Sequence, residues 1–388
     1  MVFQMEYTIE RIDTIDQITP LKSEWNNLLE RSETNIIFLT FEWIFDWWKC
    51  FGKEKELFIL LVKDNEKLVG IAPLMITTLN LGIKIKKIEF IGTPLSNYCD
   101  FIISEKCEDK RDVLRSIYDY LLKEKDSWDI ISLKEIPEVS STLTISEEIL
   151  KSSNVLFSIF PDNISPIIIF EESERKEIEK KLNKKDIKRK LRGLNREGIL
   201  GYNHCKDKNE AEMLLNIFFQ QHIKRWKSTS TPSMFEDEKY KAFYHELTKS
   251  LLPKKWVDIS VLRFNGGVIA TQFGFTYNNK YEGYTHTYDK TYAKYSPGVI
   301  LLMLNIENYL SKNFREFDLG RGDDPYKFRF SNIIKKNYKI SIYKRYPISL
   351  IDKTINKLRL EIRKHSRLRY ALREVKNRLT NFLKFHKC

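Results

Sequence analysis

Tyr281–Asp289 (YEGYTHTYD), Tyr292–Gly298 (YAKYSPG) and Phe317–Phe330 (FDLGRGDDPYKFRF) decide how this chain is read. The first stretch alternates as a strand and delivers the chain to a Ser-Pro-Gly turn that opens an apolar helix, Pro297–Lys312. A helix start carries backbone N–H groups without intrahelical acceptors, so it favours an anion. Proline suits the first helical turn, and glycine lets a phosphate approach the backbone closely. A second strand, Arg315–Leu319, returns beside the first and ends in the charged cluster Arg321, Asp323 and Asp324. A phosphate seat and ionisable side chains at neighbouring strand ends point to a transferase that uses a phosphorylated carrier.

Around this core the second half parses as a strand (Leu200–Cys205), two helices (Glu210–Lys227, Glu238–Leu252) and three antiparallel strands. The strands are Asp258–Phe264, Val268–Tyr277 and Lys280–Asp289, turning at Asn265-Gly266-Gly267 and Asn278-Asn279. The helix and the strand Arg315–Leu319 follow, and Asn337–Tyr343 alternates as a last strand. The first half repeats the order. Its strands are Tyr7–Ile12, Glu56–Val62, Lys67–Leu79, Lys86–Ile91 and Asp129–Leu133, and its helices are Pro20–Arg31, Phe41–Phe51 and Asp112–Lys123. One specific order appearing twice points to internal duplication.

The 388 residues, 42% hydrophobic with 24 Phe, 19 Tyr and 7 Trp, can bury substantial cores in about two or three domains. No apolar run approaches the roughly 18–20 residues that span a bilayer. Met1–Glu6 has neither the basic nor the apolar part of a signal peptide, so a cytoplasmic protein is expected. Cys50, Cys99, Cys107, Cys205 and Cys388 are scattered and without CxxC spacing, which reads as reduced structural thiols rather than a zinc site. GxxxxGK[ST], HExxH and a strand-linked GxGxxG are missing, so a P-loop enzyme, a zinc protease and a Rossmann dehydrogenase are unsupported, and no metal is expected.

The net charge of +13 is uneven. Residues 174–192 hold ten Lys/Arg against four Asp/Glu, and residues 349–388 hold twelve against three. The remainder is near −2. Residues 174–192 carry Ile178, Leu182, Ile187 and Leu191 at helical spacing and read as a scaffold helix, with polyanion contact the second reading. In the tail, Ile351, Ile355, Leu358 and Ile362, then Leu368, Leu372, Val375, Leu379 and Phe382, form apolar stripes among cations. Such a helix fits docking within the protein, a homodimer, or the anionic inner face of a membrane.

Leu68–Leu74 (LVGIAPL), Phe90–Phe101 (FIGTPLSNYCDF), Gly267–Phe275 (GVIATQFGF), Tyr288–Gly298 and Phe317–Phe330 occur in an order that resembles the GNAT acyltransferase superfamily. Within it the chain is similar to the double-GNAT branch of CelD-like polysaccharide-biosynthesis acetyltransferases, related to Fem-type aminoacyltransferases. The resemblance covers about residues 1–345 and implies an α/β (α+β) fold of tandem GNAT-like domains. Each would be a mixed, mainly antiparallel twisted sheet flanked by helices. The expected domains are 1–165, degenerate and shaping the substrate groove, 166–347 with the acyl-CoA site, and the basic helical tail 348–388. The resemblance places the pyrophosphate of acetyl-CoA or another acyl-CoA at Tyr295, Ser296, Pro297, Gly298 and Val299. Of the superfamily's Arg/Gln-x-x-Gly-x-Gly/Ala pattern, only Gly298 is clear. Between Phe101 and Val113 the first half has no glycine and several acidic residues, which would repel phosphate.

Acyl transfer to an amine needs a base for the ammonium, donors for the carbonyl oxygen and a proton for the leaving thiolate. His286, with an ordinary pKa of about 6.5, is the attractive base; the alternative is a histidine bonded among tyrosines. Asp323 at the strand end would bind or deprotonate the amine while Asp324 caps the segment behind it. By superfamily analogy Tyr326 is the acid. Arg321 would clamp a carboxylate or phosphate, or pair with an Asp. Asp289 orients the ammonium or caps its loop. Lys327 reads as a groove or phosphate contact, Trp226 as groove lining or core, and Gln272 as a substrate donor or satisfied amide. The expected activity is N-acetylation of an amino sugar or similar amine on a cell-envelope polysaccharide precursor. Transfer from aminoacyl-tRNA, and a non-catalytic scaffold, are the alternatives.

Overall fold

The computed structural model describes residues 7–364 apart from 81, 82, 108, 228 and 230. The apolar stripe from Leu368 to Phe382, and Cys388, lie outside the described residues. The chain is mixed α/β and divides into two compact units, 1–165 with 334–353 and 166–333 with the residues from Thr354.

Unit 1 opens with β1 (Thr8–Ile12), the short α1 (Ile15–Ile18), α2 (Lys22–Glu30) and α3 (Phe41–Phe51). Thr40 caps α3 by accepting from the Trp43 N–H, and Trp43 and Trp47 are buried beneath it. The antiparallel strands β2 (Glu56–Asp64), β3 (Lys67–Asn80) and β4 (Lys84–Phe90) follow, then β5 (Ile102–Ile103) against β3, α4 (Lys110–Lys123), β6 (Ile130–Pro137) and α5 (Ser141–Ser152). β4 runs parallel to β6. Val113, Leu114, Ile117, Tyr118 and Leu121 repeat at helical spacing on α4 and pack on Phe58, Leu60, Leu74 and Ile131.

β7 (Leu156–Ile169) leads into unit 2, which holds α6 (Arg175–Leu182), α7 (Lys185–Glu197), β8 (Leu200–His204), α8 (Lys208–Trp226) and α9 (Glu238–Leu251). Then come β9 (Val257–Phe264), β10 (Gly267–Tyr277), β11 (Lys280–Tyr288), α10 (Pro297–Ser311) and β12 (Glu316–Asp318). β8 to β11 are antiparallel in sequence order, and β12 is parallel to β11. Asn265 and Gly266, and Asn278 and Asn279, all have positive φ, as two-residue hairpin turns require. Both units therefore share one order: strand, paired helices, three antiparallel strands, helix, parallel strand. The end of β7 pairs with β12, whereas β13 (Ile333–Tyr343) pairs with β6, before α11 (Tyr346–Lys364).

This differs from a second domain running to 347. Residues 334–347 belong to unit 1, because Tyr338–Tyr343 find their partners on β6. The basic segment 174–192 is also two helices, broken at Asn183–Lys184, whose backbone is no longer helical. α5 and β7 are elements that the sequence reading does not contain.

The α10 side of the unit 2 sheet is packed by Ile300, Leu301, Met303, Ile306 and Tyr309. Tyr281 stacks on Tyr309 at 4.2 Å and lies 4.5 Å from the ring of Phe317. Phe317→Ala should thus cost about 3–5 kcal/mol of unfolding free energy, measured by chemical denaturation. A loss below about 1 kcal/mol would mean that this aromatic floor does not hold the sheet.

Candidate active site

β11 and β12 pair only at Lys280–Glu282 with Glu316–Asp318. β12 then stops, and Gly320 and Gly322, both at positive φ, carry the chain away. β11 continues to Tyr288, paired with β10 on its other edge. Its register with β10 shifts between Phe273 and Gly274, leaving Tyr284 as the extra residue of a bulge. Two parallel strands that pair and then part leave an opening whose wall is backbone. Arg225, at the end of α8, reaches this edge. Its guanidinium donates to the His286 carbonyl at 3.4 Å and lies 4.4 Å from the centre of the Tyr288 ring.

Beyond β11, the Asp289 carboxylate accepts from the Thr291 N–H at 3.0 Å, so the loop-capping role expected of Asp289 is the one present in the fold. Ser296 sits at φ +54 as the N-cap of α10, followed by Pro297 at the first helical position. The Ser296 carbonyl accepts from the Val299 and Ile300 N–H groups. A Cβ on Gly298 would meet only ordinary contacts, the Tyr288 ring at 3.5 Å and the His286 ring at 3.9 Å. The Tyr288 and His286 rings thus lie at van der Waals distance beside the helix start, which has room for a Cβ, and no acidic residue lies in the first turn. α7 supplies a cation here, as Lys190 Nζ donates to Ser296 Oγ at 2.7 Å. Tyr295 turns to α7 as well, with its hydroxyl on Glu197. Tyr295, Ser296, Pro297, Gly298 and Val299 thus form one corner, walled by a helix read from sequence as scaffold.

Inside the sheet, Gln272 belongs to a fixed network. Its Oε1 accepts from Asn305 Nδ2 at 2.9 Å, and Asn305 Nδ2 also donates to Ser260 Oγ at 2.8 Å. Asn305 Oδ1 accepts from the Tyr202 hydroxyl at 2.8 Å, and Tyr202 in turn bonds to His204, which bonds to Asp258 at 2.6 Å. The Gln272 amide nitrogen is turned toward the bulge, only 2.6 Å from where a Cβ on Gly283 would stand. Glycine at 283 makes room for that donor. Asn305 is the polar break in the apolar run of α10, a signal the sequence offers without saying what the side chain touches.

Electrostatics change the expectation for His286. Burial first, then the positive charges of Arg225 and Lys327, push its imidazole down to about 3. Although part of its surface is accessible, it stays neutral near pH 7, and a base this weak does not match an ammonium. His286 is instead a neutral imidazole, its ring edge-to-face with that of Tyr326 at 5.6 Å. Burial, reinforced by Asp324, raises the Tyr326 phenol, so it keeps its proton and can donate it.

Lys327 does not serve as a free groove cation. Its buried ammonium donates to the Gly320 and Arg321 carbonyls at 2.9 and 2.8 Å and lies 3.5 Å from Asp324. It staples the turn behind β12. Asp324 closes the same turn, its carbonyl accepting from the Lys327 N–H. Arg321 and the exposed Asp323 ride on that turn. Trp226 stacks on His222 at 5.4 Å, and its Nε1 is buried without an acceptor among the described residues. Arg225, Lys190 and Asn305 are the polar groups of this region that sequence reasoning passed over.

Two measurements follow from this arrangement. His222, bonded to Ser233, is pushed down to about 4 by burial and then by Arg225. A histidine whose folded pKa lies below its unfolded value, about 6.5, binds fewer protons when folded, so stability rises with pH across that window. Unfolding free energy should fall as pH drops from about 6.5 toward 4, less steeply in His222→Asn; equal slopes in both proteins would contradict the burial. In a double-mutant cycle, Asn305→Ala and Gln272→Ala should couple by about 0.5–3 kcal/mol, whereas additivity would dissolve the network.

Residues 181–328 match the acetyltransferase (GNAT) domain family. No curated protein matches the sequence. Among solved structures, the chain is similar to FemX, at 8% identity and TM-score 0.57 over 85% of this chain and 96% of that one. It is similar to a protein of unknown function from Bacteroides thetaiotaomicron, at 12% identity and TM-score 0.54 over 87% and 100% of the two chains. The C-terminal domain of a putative lysylphosphatidylglycerol synthetase from Agrobacterium fabrum gives 12% identity and TM-score 0.52 over 85% and 96%. At these identities the likeness is one of fold. The chain therefore has a fold like that of FemX, and residues 181–328 are similar to the acetyltransferase (GNAT) domain family.

Proposed function

We propose that this protein is a cytoplasmic acyl-CoA-dependent N-acyltransferase, moving an acetyl or other acyl group to an amine such as an amino sugar of a cell-envelope polysaccharide precursor. The carrying observation is the opening between β11 and β12 beside the acid-free start of α10. The acid-free helix start, the small Gly298 and the cation of Lys190 suit the pyrophosphate of a CoA ester. When bound, such a thioester supplies an activated acyl carbon. Tyr295, Ser296, Gly298 and Val299 would hold the carrier, and the Gln272 amide would orient the carbonyl. In the overall exchange the carbon–sulfur bond breaks, a carbon–nitrogen bond forms, and the amine gives up a proton. We assign Asp323 to orient the ammonium and pass its proton to solvent. Tyr326 would give its phenol proton to the leaving sulfur and regain the proton that the nitrogen sheds as the amide forms, so ammonium and thioester become amide, thiol and one released proton without a redox partner. Arg321 is assigned to the acceptor's anionic groups. The cationic faces of α6 and α7 would also favour a longer polyanion, which keeps transfer from aminoacyl-tRNA as the second reading.

Acetyl-CoA at 100 times its Kd should stabilise the folded wild type by about 2.7 kcal/mol. Gly298→Ala should keep that gain, because its Cβ meets only ordinary contacts, and Gly298→Glu should lose it while remaining folded. With an amine acceptor in hand, Tyr326→Phe should lower kcat by about 10²–10⁴-fold with little change in donor affinity. Absence of any stabilisation by CoA esters, with binding of aminoacyl-tRNA instead, would replace the donor and leave the fold argument standing.

A further inference from the structure

α11 packs with its polar side inward. Ser349 is 1% exposed and Asn356 7%, while Leu350 is 55%, Ile351 61%, Ile355 42% and Leu358 56% exposed. An ordinary surface helix does the opposite, turning its apolar stripe to the core. The inversion is pinned by charge. Asp352 accepts from Lys339 Nζ at 2.8 and 2.9 Å, and from the Tyr343 hydroxyl at 2.8 Å, which fixes the rotation of the helix. At 100° per residue, Ile351, Ile355 and Leu358 fall within an arc of about 60°, with Leu350 to one side. They form a continuous outward aliphatic ridge. Lys357 and Arg359 are exposed on either side of it with Glu361 the exposed acidic neighbour, and residues 349–388 carry twelve Lys/Arg against three Asp/Glu.

Two features select the occupant. The rim is cationic, so a second copy seated ridge to ridge would bring like charges together, whereas anionic headgroups would neutralise them. No helix among the described residues is long and apolar enough to cross a bilayer, so the ridge would lie in the interface rather than span it. We propose that α11 is a peripheral anchor, seating its aliphatic ridge at the headgroup boundary of an anionic membrane with the surrounding cations on the lipid phosphates. The proposal is independent of the catalytic reading, since neither Asp352 nor the ridge belongs to the opening beside β11.

The test is co-sedimentation of the full chain with phosphatidylcholine vesicles, with and without phosphatidylglycerol. The wild type should bind the anionic vesicles at least about tenfold more tightly than the neutral ones, and lose the preference as salt is raised. Ile351→Ser/Ile355→Ser/Leu358→Ser keeps every charge and removes only exposed groups, so it should fold normally and bind about tenfold more weakly or worse. Lys353→Glu/Lys357→Glu/Arg359→Glu should abolish the anionic preference. Three results would overturn the proposal: equal binding to both vesicles, undiminished binding by the serine variant, or a wild-type dimer that the serine variant makes monomeric while neither binds lipid.

Discussion

The limited pairing of β11 with β12 is the constraint from which the rest of unit 2 follows. Hydrogen-bonded strands normally leave no room between them, and a sheet can open only where one strand ends and its neighbour continues. Here β12 ends at Asp318, whose carboxylate takes the Gly320 N–H at 2.7 Å and starts the turn away. Lys327 then holds that turn from beneath through two carbonyls. Buried lysine is costly unless its donors are satisfied, so this ammonium both needs and enforces the turn. The opening is therefore built into the fold, without waiting for a ligand to force it. After β11 ends, α10 begins beside the His286 and Tyr288 rings, while the Gln272 amide faces Gly283 next to the bulge at Tyr284.

Unit 1 repeats the topology but closes the corresponding corner. β4 also meets β6 in parallel for a short distance, yet the chain after β4 returns to β3 through Ile102–Ile103 before reaching its helix. The start of α4 is taken by Asp109, whose carboxylate accepts from the Arg111 N–H at 2.7 Å, with Asp112 in the first turn. A helix start that carries its own carboxylate has its anion already. The same dipole that would attract a phosphate at Gly298 is satisfied internally in unit 1.

Much of the fold is legible in the sequence because its signals are local. Asn265-Gly266 and Asn278-Asn279 specify hairpin turns by conformation alone, and Ser296-Pro297-Gly298 marks a helix start whatever surrounds it. The candidate site is less legible because its chemistry depends on distance in space. His286 has the residue type of a base, but burial and then the cations Arg225 and Lys327 set its proton affinity, and neither cation is near it in sequence. Lys327 has the look of a groove cation until the carbonyls around it are seen. Strand partners carry the same lesson. Asn337–Tyr343 alternates plainly as a strand, yet only its hydrogen bonds to β6 place it in the first unit. The inversion of α11 is hidden for the same reason. Its apolar stripe is evident from spacing, whereas the direction that stripe faces is set by Asp352 and Lys339.

The central claim is that the opening beside β11 and the start of α10 form the donor site. Hydrogen–deuterium exchange of the full chain with and without acetyl-CoA tests it most directly. The account predicts slowed exchange in peptides covering 283–300, with no change at the start of α4 in 84–115. Protection confined to 84–115, or a uniform response across both units, would contradict it.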